Sequence, residues 1–169
     1  MGLHQHDPPG RGAATSSVGR APEGEVCLVA VDGSGSGAPA LGWALRHALR
    51  HGMRVEVLTV WPPFRSPLIH DVPGHFCLPR WSAERAQKDV VRHVLEEVPA
   101  GEMLSARLEN GDVAERIVEA STSCQLVVLG SSSPDDCKEL TSLISAAVAC
   151  AVVVVDDRGG VSTVAEIHT

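Results

Sequence analysis

Between residues 25 and 156, short apolar runs alternate with segments of helical periodicity. The first run, VCLVAV at 26–31, is apolar at nearly every position, as expected of a strand that is covered on both faces. Similar runs at 55–60, 125–130 and 152–155 predict three more buried strands. Strands that alternate with helices are typical of a parallel α/β sheet.

The segments between these runs have the spacing of amphipathic helices. In the first helix, Pro39 suits the first turn and Gly52 suits the C-terminus. The predicted buried face of this helix consists of Leu41, Ala44, Leu45, Ala48 and Leu49. A second helix is predicted to begin at Ser82, after a proline-rich loop, with a buried stripe of Ala83, Ala86, Val90, Val94 and Val98.

One more strand and two more helices complete the pattern. Residues 103–108 alternate between apolar and polar, which predicts a half-exposed edge strand. Asp112 and Glu115 resemble a capping box that opens a short helix with Val113, Ile117 and Val118 buried. The last helix has an apolar face of Leu140, Leu143, Ile144, Ala147 and Val148. Together these elements predict an open five-stranded parallel sheet with helices on both faces, a Rossmann-like α/β fold.

The two ends of the chain differ from this central domain, which we place at residues 25–156. Residues 1–24 are rich in Gly, Pro, Ser and Arg and contain almost no large apolar residue, so we expect a disordered tail. Residues 157–169 have no evident place in the sheet and are predicted to form a C-terminal tail.

Composition excludes several classes of partner. The chain has 14 Lys and Arg against 21 Asp and Glu, a formal charge of -7, and no basic run that could follow a nucleic-acid backbone. Its apolar runs are far shorter than the roughly 20 residues of a membrane span, and residues 1–24 lack the apolar stretch of a signal peptide. The cysteines are odd in number and form no C-x-x-C pair, which favours a reducing compartment. We therefore expect a cytoplasmic protein that binds neither nucleic acid nor membrane.

Ligands of open parallel sheets bind beyond the carboxyl ends of the strands, which draws attention to the loops after the first and fourth strands. In the first loop, Gly33, Gly35 and Gly37 leave backbone amides uncovered before a helix, a geometry that suits an anion. The spacing G-x-G-x-x-A is a weak match to the dinucleotide fingerprint, but Val60 and Trp61 stand where a ribose-binding acid is expected. A glycine loop that only connects strand to helix is the alternative, and no P-loop motif is present.

Six ordered segments of the chain resemble the universal stress protein family: VCLVAVDGS, LGWAL, VEVLTVWPP, LENGDVAERIVEAS, QLVVLGSSS and CAVVVV. The resemblance implies the strand order 3-2-1-4-5 and a homodimer through the last strand, here Ala151 to Val155. The alternative to the dimer is that the tail after Asp156 folds back over this apolar edge, with Val161, Val164 and Ile167 as its cover. It also implies, as in many members, an ATP site between the ends of the first and fourth strands. In that site Asp32, with Gly33 beside it, and the backbone near Val60 correspond to positions that hold the adenosine.

The family's phosphate-binding motif, G-x2-G-x9-G-[ST], is broken in this chain. Only its first glycine, Gly130, is present. The replacement SSSPDDCKE brings Asp135 and Asp136 close to the start of the last helix, where they would repel a triphosphate. The side chains that remain to donate to a phosphate are Ser131, Ser132 and Ser133. We therefore predict no cofactor, with weak ATP binding as the alternative.

The remaining chemistry-bearing residues form no recognisable site. His70, Asp71, His75 and Cys77 are of metal-ligating types, but their spacing matches no metal motif, and an ordinary exposed loop is predicted. A metal site formed by His47 and His51 is disfavoured because both residues fall on the solvent-facing side of their helix. Cys27, Cys124 and Cys150 are expected to be inert and buried, whereas Cys137 lies at a helix start, and a redox role is the alternative for this residue alone.

These observations predict a non-enzymatic, homodimeric stress-response or regulatory module with weak or absent ATP binding. The alternative is a member that binds adenine nucleotides, with slow or no hydrolysis. No G-x-S-x-G elbow is present, and DGSGSG lacks the S-G-G-x-D-S pattern of related ATP-using enzymes, so no catalytic residue is predicted.

Overall fold

A computed structural model describes residues 24–63, 78–132 and 137–165 of the chain. The predicted tail at residues 1–24 lies outside these ranges except for its last residue. The strands are β1 (Val26–Ala30), β2 (Arg54–Trp61), β3 (Leu104–Asn110), β4 (Leu126–Ser131), β5 (Ala151–Asp156) and β6 (Val161–Ala165). The helices are α1 (Gly37–His51), α2 (Leu78–Glu97), α3 (Val113–Ala120) and α4 (Lys138–Ala147).

The described strands form one sheet in the order β3-β2-β1-β4-β5-β6. Neighbouring strands from β3 to β5 are parallel, which confirms the predicted α/β class and the predicted order of the first five strands. Cys27 of β1 lies opposite Val55 of β2 and Leu126 of β4, so β1 is central. The carboxyl ends of β1 and β4 therefore lie side by side, with α1 and α4 following them in the chain.

The core has two layers because helices cover both faces of the sheet. On one face Leu41 and Leu45 of α1 pack with Val29 and Val57. On the other face Ile117 of α3 and Ile144 of α4 belong to the second core cluster, which includes the strand residues Leu28, Leu58, Val127 and Leu129. Burial on both faces explains why β1 and β4 are apolar at nearly every position.

The helix boundaries follow local signals. Gly52 ends α1 in the left-handed conformation at φ 68, as the sequence predicts, because glycine has no Cβ to clash there. The Asp112 side chain accepts a hydrogen bond from the Glu115 N–H at 3.1 Å and caps α3. Helix α2 begins at Leu78, earlier than the predicted Ser82, because Pro79 is tolerated in a first helical turn.

Two helices each expose one leucine of their predicted buried face. Leu49, at the margin of the α1 stripe, is 48% exposed, and Leu143 of α4 is 56% exposed. In α4 the buried positions are Thr141 and Ile144. The spacing of apolar residues predicts the apolar side of each helix. Which residues at the border of that side are buried depends on where the sheet lies beneath the helix.

The C-terminal residues do have a place in the sheet, which corrects the prediction of a five-stranded sheet ending in an unattached tail. Strand β6 runs antiparallel to β5, with Val161 opposite Val155 and Thr163 opposite Val153. The predicted pairing of the Ala151 to Val155 edge with a second copy is therefore wrong, because β6 occupies that edge. The alternative, in which C-terminal residues of the same chain cover the apolar edge strand, is what the structure shows.

Asp156 closes the β5–β6 connection. Its Oδ1 accepts hydrogen bonds from the N–H groups of Arg158 at 2.9 Å and Gly160 at 2.6 Å. Gly159 has a φ of 82, which favours glycine. A tight turn of this kind returns the chain along the edge that it has just left.

Within the described residues, no helix is both long and apolar enough to cross a membrane.

Candidate functional site

A cleft of about 260 Å³ lies at the carboxyl ends of β1, β2 and β4, against α3 and the starts of α1 and α4. Among the sequence-predicted residues, Asp32, Val60, Gly130, Ser131 and Ser132 all line this cleft. Gly33 is not among its lining residues. Ser133 lies outside the described residues. The topology thus brings residues from three separate strand ends to one place.

The loop after β1 is held by its own hydrogen bonds. The Asp32 carboxylate accepts from the N–H of Ser34 at 2.8 Å, and the hydroxyls of Ser34 and Ser36 are 2.9 Å apart. The N–H of Gly37 donates to the carbonyl of Ser34 at 3.1 Å. The loop is therefore a defined turn in which the amides of Ser34 and Gly37 are paired.

Gly33 is required by the backbone and by packing. Its φ of 85 lies in the left-handed region, and a Cβ there would lie 2.9 Å from the Cβ of Ala86 in α2. A side chain at this position would be strained and would clash. The role that the structure supports for Gly33 is therefore structural.

Gly130, the retained glycine of the broken motif, also has a packing role. A Cβ on it would lie 2.8 Å from the carbonyl oxygen of Ser36 and 2.9 Å from the Ser36 hydroxyl. Ser36 is buried and immediately precedes α1. The end of β4 and the start of α1 therefore approach so closely that only glycine fits, independently of any phosphate.

The inner wall of the cleft is aliphatic, with Leu58 and Val60 from β2, Ile117 from α3 and Leu129 from β4. Val113 is exposed overall but adds to this wall. The polar groups are the Asp32 carboxylate, the Cys137 thiol and the hydroxyls of Ser34, Ser36, Ser131 and Ser132. An apolar wall with a few hydroxyls and one carboxylate suits a flat organic ring with attached hydroxyl groups.

Cys137 is at the mouth of the cleft, directly before α4. It is half-buried, and its thiol donates to the carbonyl of Gly130 at 3.4 Å. Glu139 lies in the first turn of α4 and offsets the positive end of the helix dipole. The arrangement gives the thiol a hydrogen-bond acceptor but no basic group among the lining residues described.

The other described cysteines are buried, as predicted. Burial is the main cause that raises the pKa of Cys27 to about 12 and that of Cys124 to about 11, and the nearby Cys150 thiol contributes to both values. Burial also raises the pKa of Cys150. Thiolate is the reactive form of cysteine, so these side chains act as small apolar groups at neutral pH.

The histidine pair on α1 forms an aromatic stack with a tryptophan. The ring centroids of Trp43 and His47 are 4.9 Å apart, and those of His47 and His51 are 4.1 Å apart. Burial lowers the pKa of His47, and His51 and Arg50 lower it further. Within the ranges described, no group of three or more His, Cys, Asp or Glu residues is placed to hold a metal. The loop with His70, Asp71, His75 and Cys77 lies outside those ranges.

Sequence reasoning missed several groups that shape this region. Ser34 and Ser36 line the cleft, although their only sequence signal is their position between the loop glycines. Gln87 of α2 is buried and donates to the hydroxyl of Thr59 at 3.1 Å and the carbonyl of Arg107 at 2.8 Å. The sequence does not indicate which groups a polar helix residue will contact, because those partners come close only when the sheet forms.

Comparison with known proteins gives the following matches. The model of the universal stress protein family matches residues 25–155. Universal stress protein UspA from Lactobacillus plantarum is 22% identical with a TM-score of 0.57, over 77% of this chain and 96% of that one. A universal stress family protein from Burkholderia pseudomallei is 26% identical with a TM-score of 0.51, over 78% and 95% of the two chains. A universal stress family protein from Arabidopsis thaliana with AMP bound is 18% identical with a TM-score of 0.54, over 78% and 91%. Among curated protein sequences, none matches the chain.

Proposed function

Because the chain belongs to the universal stress protein family, we propose that it is a regulatory module that binds an adenosine-containing ligand and catalyses no reaction. The observation that carries this proposal is the cleft itself, which unites Asp32, Val60 and Gly130 with Ser131 and Ser132. The similar Arabidopsis structure contains AMP, which supports this class of ligand.

The size and walls of the cleft support a nucleoside as the bound part of the ligand. A volume of about 260 Å³ lies just below the roughly 300–1,000 Å³ of typical small-molecule sites. The aliphatic side chains of Leu58, Ile117 and Leu129 can cover the faces of a base. The Asp32 carboxylate and the serine hydroxyls provide hydrogen-bond partners for ribose hydroxyls.

The same lining residues support a binding role without catalysis. The Asp32 carboxylate already accepts a backbone hydrogen bond, and the Cys137 thiol donates to a carbonyl. The described lining contains no His, Lys or Glu to act as a further acid or base. The carboxylate is engaged in holding its loop, and the thiol has no base beside it. The two groups therefore do not form a nucleophile–base pair.

We expect ATP to bind with a millimolar dissociation constant or not at all at near-physiological salt, because the glycine motif is broken after Gly130. Isothermal titration calorimetry measures this directly, and a dissociation constant of a few micromolar would contradict it. Replacing Asp135 and Asp136 with glycine should strengthen ATP binding, since two negative charges are removed from the loop that replaces the motif. Glu96→Gln with Glu97→Gln removes the same charge from the α2 surface and should leave ATP binding unchanged.

The assembly that we propose is a homodimer through the outer edge of β6. Val161 and Val164 of this strand are 44% and 45% exposed, and residues 161–165 carry no charge. Strand β3, at the other edge, carries Arg107, which pairs with Glu109 at 2.8 Å and also with Glu56. Charged edge strands resist pairing, so β6 is the better candidate for a self-complementary contact about a two-fold axis.

Replacing Val164 with lysine should convert the dimer to a monomer, because it places a positive charge on each of the two edges that must pair. Light scattering measures the mass, and far-UV circular dichroism should remain that of an α/β protein. Leu49→Lys, a similar change at an exposed residue of α1, should leave the dimer intact. A wild-type protein that is monomeric at tens of micromolar would refute the assembly.

We place this module in the cytoplasm. The described cysteines Cys27, Cys124, Cys137 and Cys150 are all free thiols. Free thiols are typical of a reducing compartment. Fractionation of cells that express the native gene tests this proposal, and recovery outside the cytoplasm would overturn it.

A further inference from the structure

The described walls of the cleft offer no positive charge to an anionic ligand. Its lining includes no Lys, Arg or His among the residues described, whereas Asp32 contributes a carboxylate. Lys138, which follows Cys137, is exposed and does not line the cleft. A phosphate placed here would face a like charge in surroundings that screen it less than bulk water does.

Two of the backbone amides before α1 are already used within the protein. The N–H of Ser34 donates to Asp32, and the N–H of Gly37 donates to the carbonyl of Ser34. Pro39, in the first turn of α1, has no N–H. Helix starts bind anions through unpaired amides, so positions 34, 37 and 39 contribute nothing to an anion here.

The contact between the two loops also differs from a phosphate cradle. Gly130 lies against the backbone of Ser36, and its carbonyl accepts from the Cys137 thiol. Glu139 places a carboxylate in the first turn of α4. The positive end of the α4 dipole is therefore already offset by a carboxylate of the same helix.

We propose that the cleft selects an uncharged nucleoside and that each added phosphate lowers its affinity. This inference rests on the proposed function, since it specifies the ligand of the same cleft. Apolar surface around Leu58 and Ile117 stabilises the base. The Asp32 carboxylate can only accept hydrogen bonds. A ribose hydroxyl can donate to it, whereas an ionised phosphate has no hydrogen to give.

Calorimetry on the full chain with adenosine, AMP and ATP tests this selectivity. At about 0.01 M salt, where charges act over about 30 Å, adenosine should bind at least about tenfold more tightly than ATP. Raising the salt to about 0.15 M should tighten AMP and ATP binding, because screening reduces the repulsion, and should leave adenosine unchanged. A site that attracts phosphate would show the opposite dependence on salt.

The outcomes separate this inference from the proposed function. If AMP or ATP binds more tightly than adenosine, or loses affinity as salt rises, the inference is overturned and the proposed function stands. If none of the three ligands binds, both are overturned.

Two variants locate the selectivity in the cleft. Asp32→Asn keeps an oxygen for the N–H of Ser34 and should reduce the preference for adenosine over AMP about threefold or more. Ser132→Lys, at an exposed lining position, should strengthen AMP binding relative to adenosine by a similar factor. Ser142→Lys adds the same charge to α4 at a residue that does not line the cleft, and should leave the ratio unchanged. An unchanged ratio in both cleft variants would refute the electrostatic origin of the selectivity.

Discussion

Replacing Leu45 with alanine is expected to lower the free energy of unfolding by about 2–5 kcal/mol. Leu45 is 0% exposed and packs in the core layer between α1 and the sheet. The variant loses the transfer free energy of the removed methyl groups and leaves a cavity that the surrounding strands can only partly fill. Urea denaturation followed by circular dichroism measures the change.

Leu49→Ala is the matched control, since it makes the same substitution one turn later on α1. Its side chain is 48% exposed, so the cost should stay below about 1 kcal/mol. The sequence pattern assigns both leucines to one buried stripe, and it predicts comparable losses. Equal destabilisation by the two variants would show that α1 sits on the sheet in a different rotation.

Gly130→Ala is expected to destabilise the protein by about 1–3 kcal/mol, because overpacking forces backbone to move. The new Cβ would lie 2.8 Å from the carbonyl oxygen of Ser36, and a backbone atom cannot turn away as the end of a flexible side chain can. Either β4 or the start of α1 must shift. For a protein of this size the loss corresponds to roughly 2–4 °C in melting temperature per kcal/mol.

Gly35→Ala provides the control in the neighbouring loop. A Cβ on Gly35 meets nothing within 4 Å, and its φ is not in the left-handed region. The substitution should therefore leave stability unchanged or raise it by up to about 1 kcal/mol, since alanine restricts the unfolded chain. A Gly130→Ala variant as stable as wild type would mean that packing against Ser36 does not require this glycine, which would leave ligand binding as its remaining role.

The sequence pattern was sufficient for the class of fold, and the resemblance to the universal stress protein family implied the order of the first five strands. Runs that are apolar at every position, such as residues 26–31, can be stable only when both faces are covered. Their alternation with helices leaves few topologies, since parallel strands need crossover connections of one hand. The breakage of the phosphate motif after Gly130 is likewise a matter of residue identity, and it can be recognised without coordinates.

The tertiary structure decided which residues meet across long separations in the chain. From the sequence, Val161 and Val164 are only one of two possible covers for the edge of β5, and the pairing of β6 with β5 decides between them. Thr141 rather than Leu143 is buried because the sheet lies beneath that side of α4. Local periodicity records how a segment divides into apolar and polar sides, but it does not record where the neighbouring element sits.

The cleft shows the same division between sequence and structure. Asp32 and Ser131 could be selected from the sequence because strand ends in a parallel sheet share one edge, and Gly130 because the chain resembles the universal stress protein family. The hydrogen bonds and close contacts at that edge could not be predicted from the sequence. The amide of Ser34 is already paired with Asp32, and Gly130 is pressed against Ser36. These contacts depend on distances of a few ångströms between loops that are far apart in the chain, and such distances are set only when β1 and β4 pair and α1 packs across them.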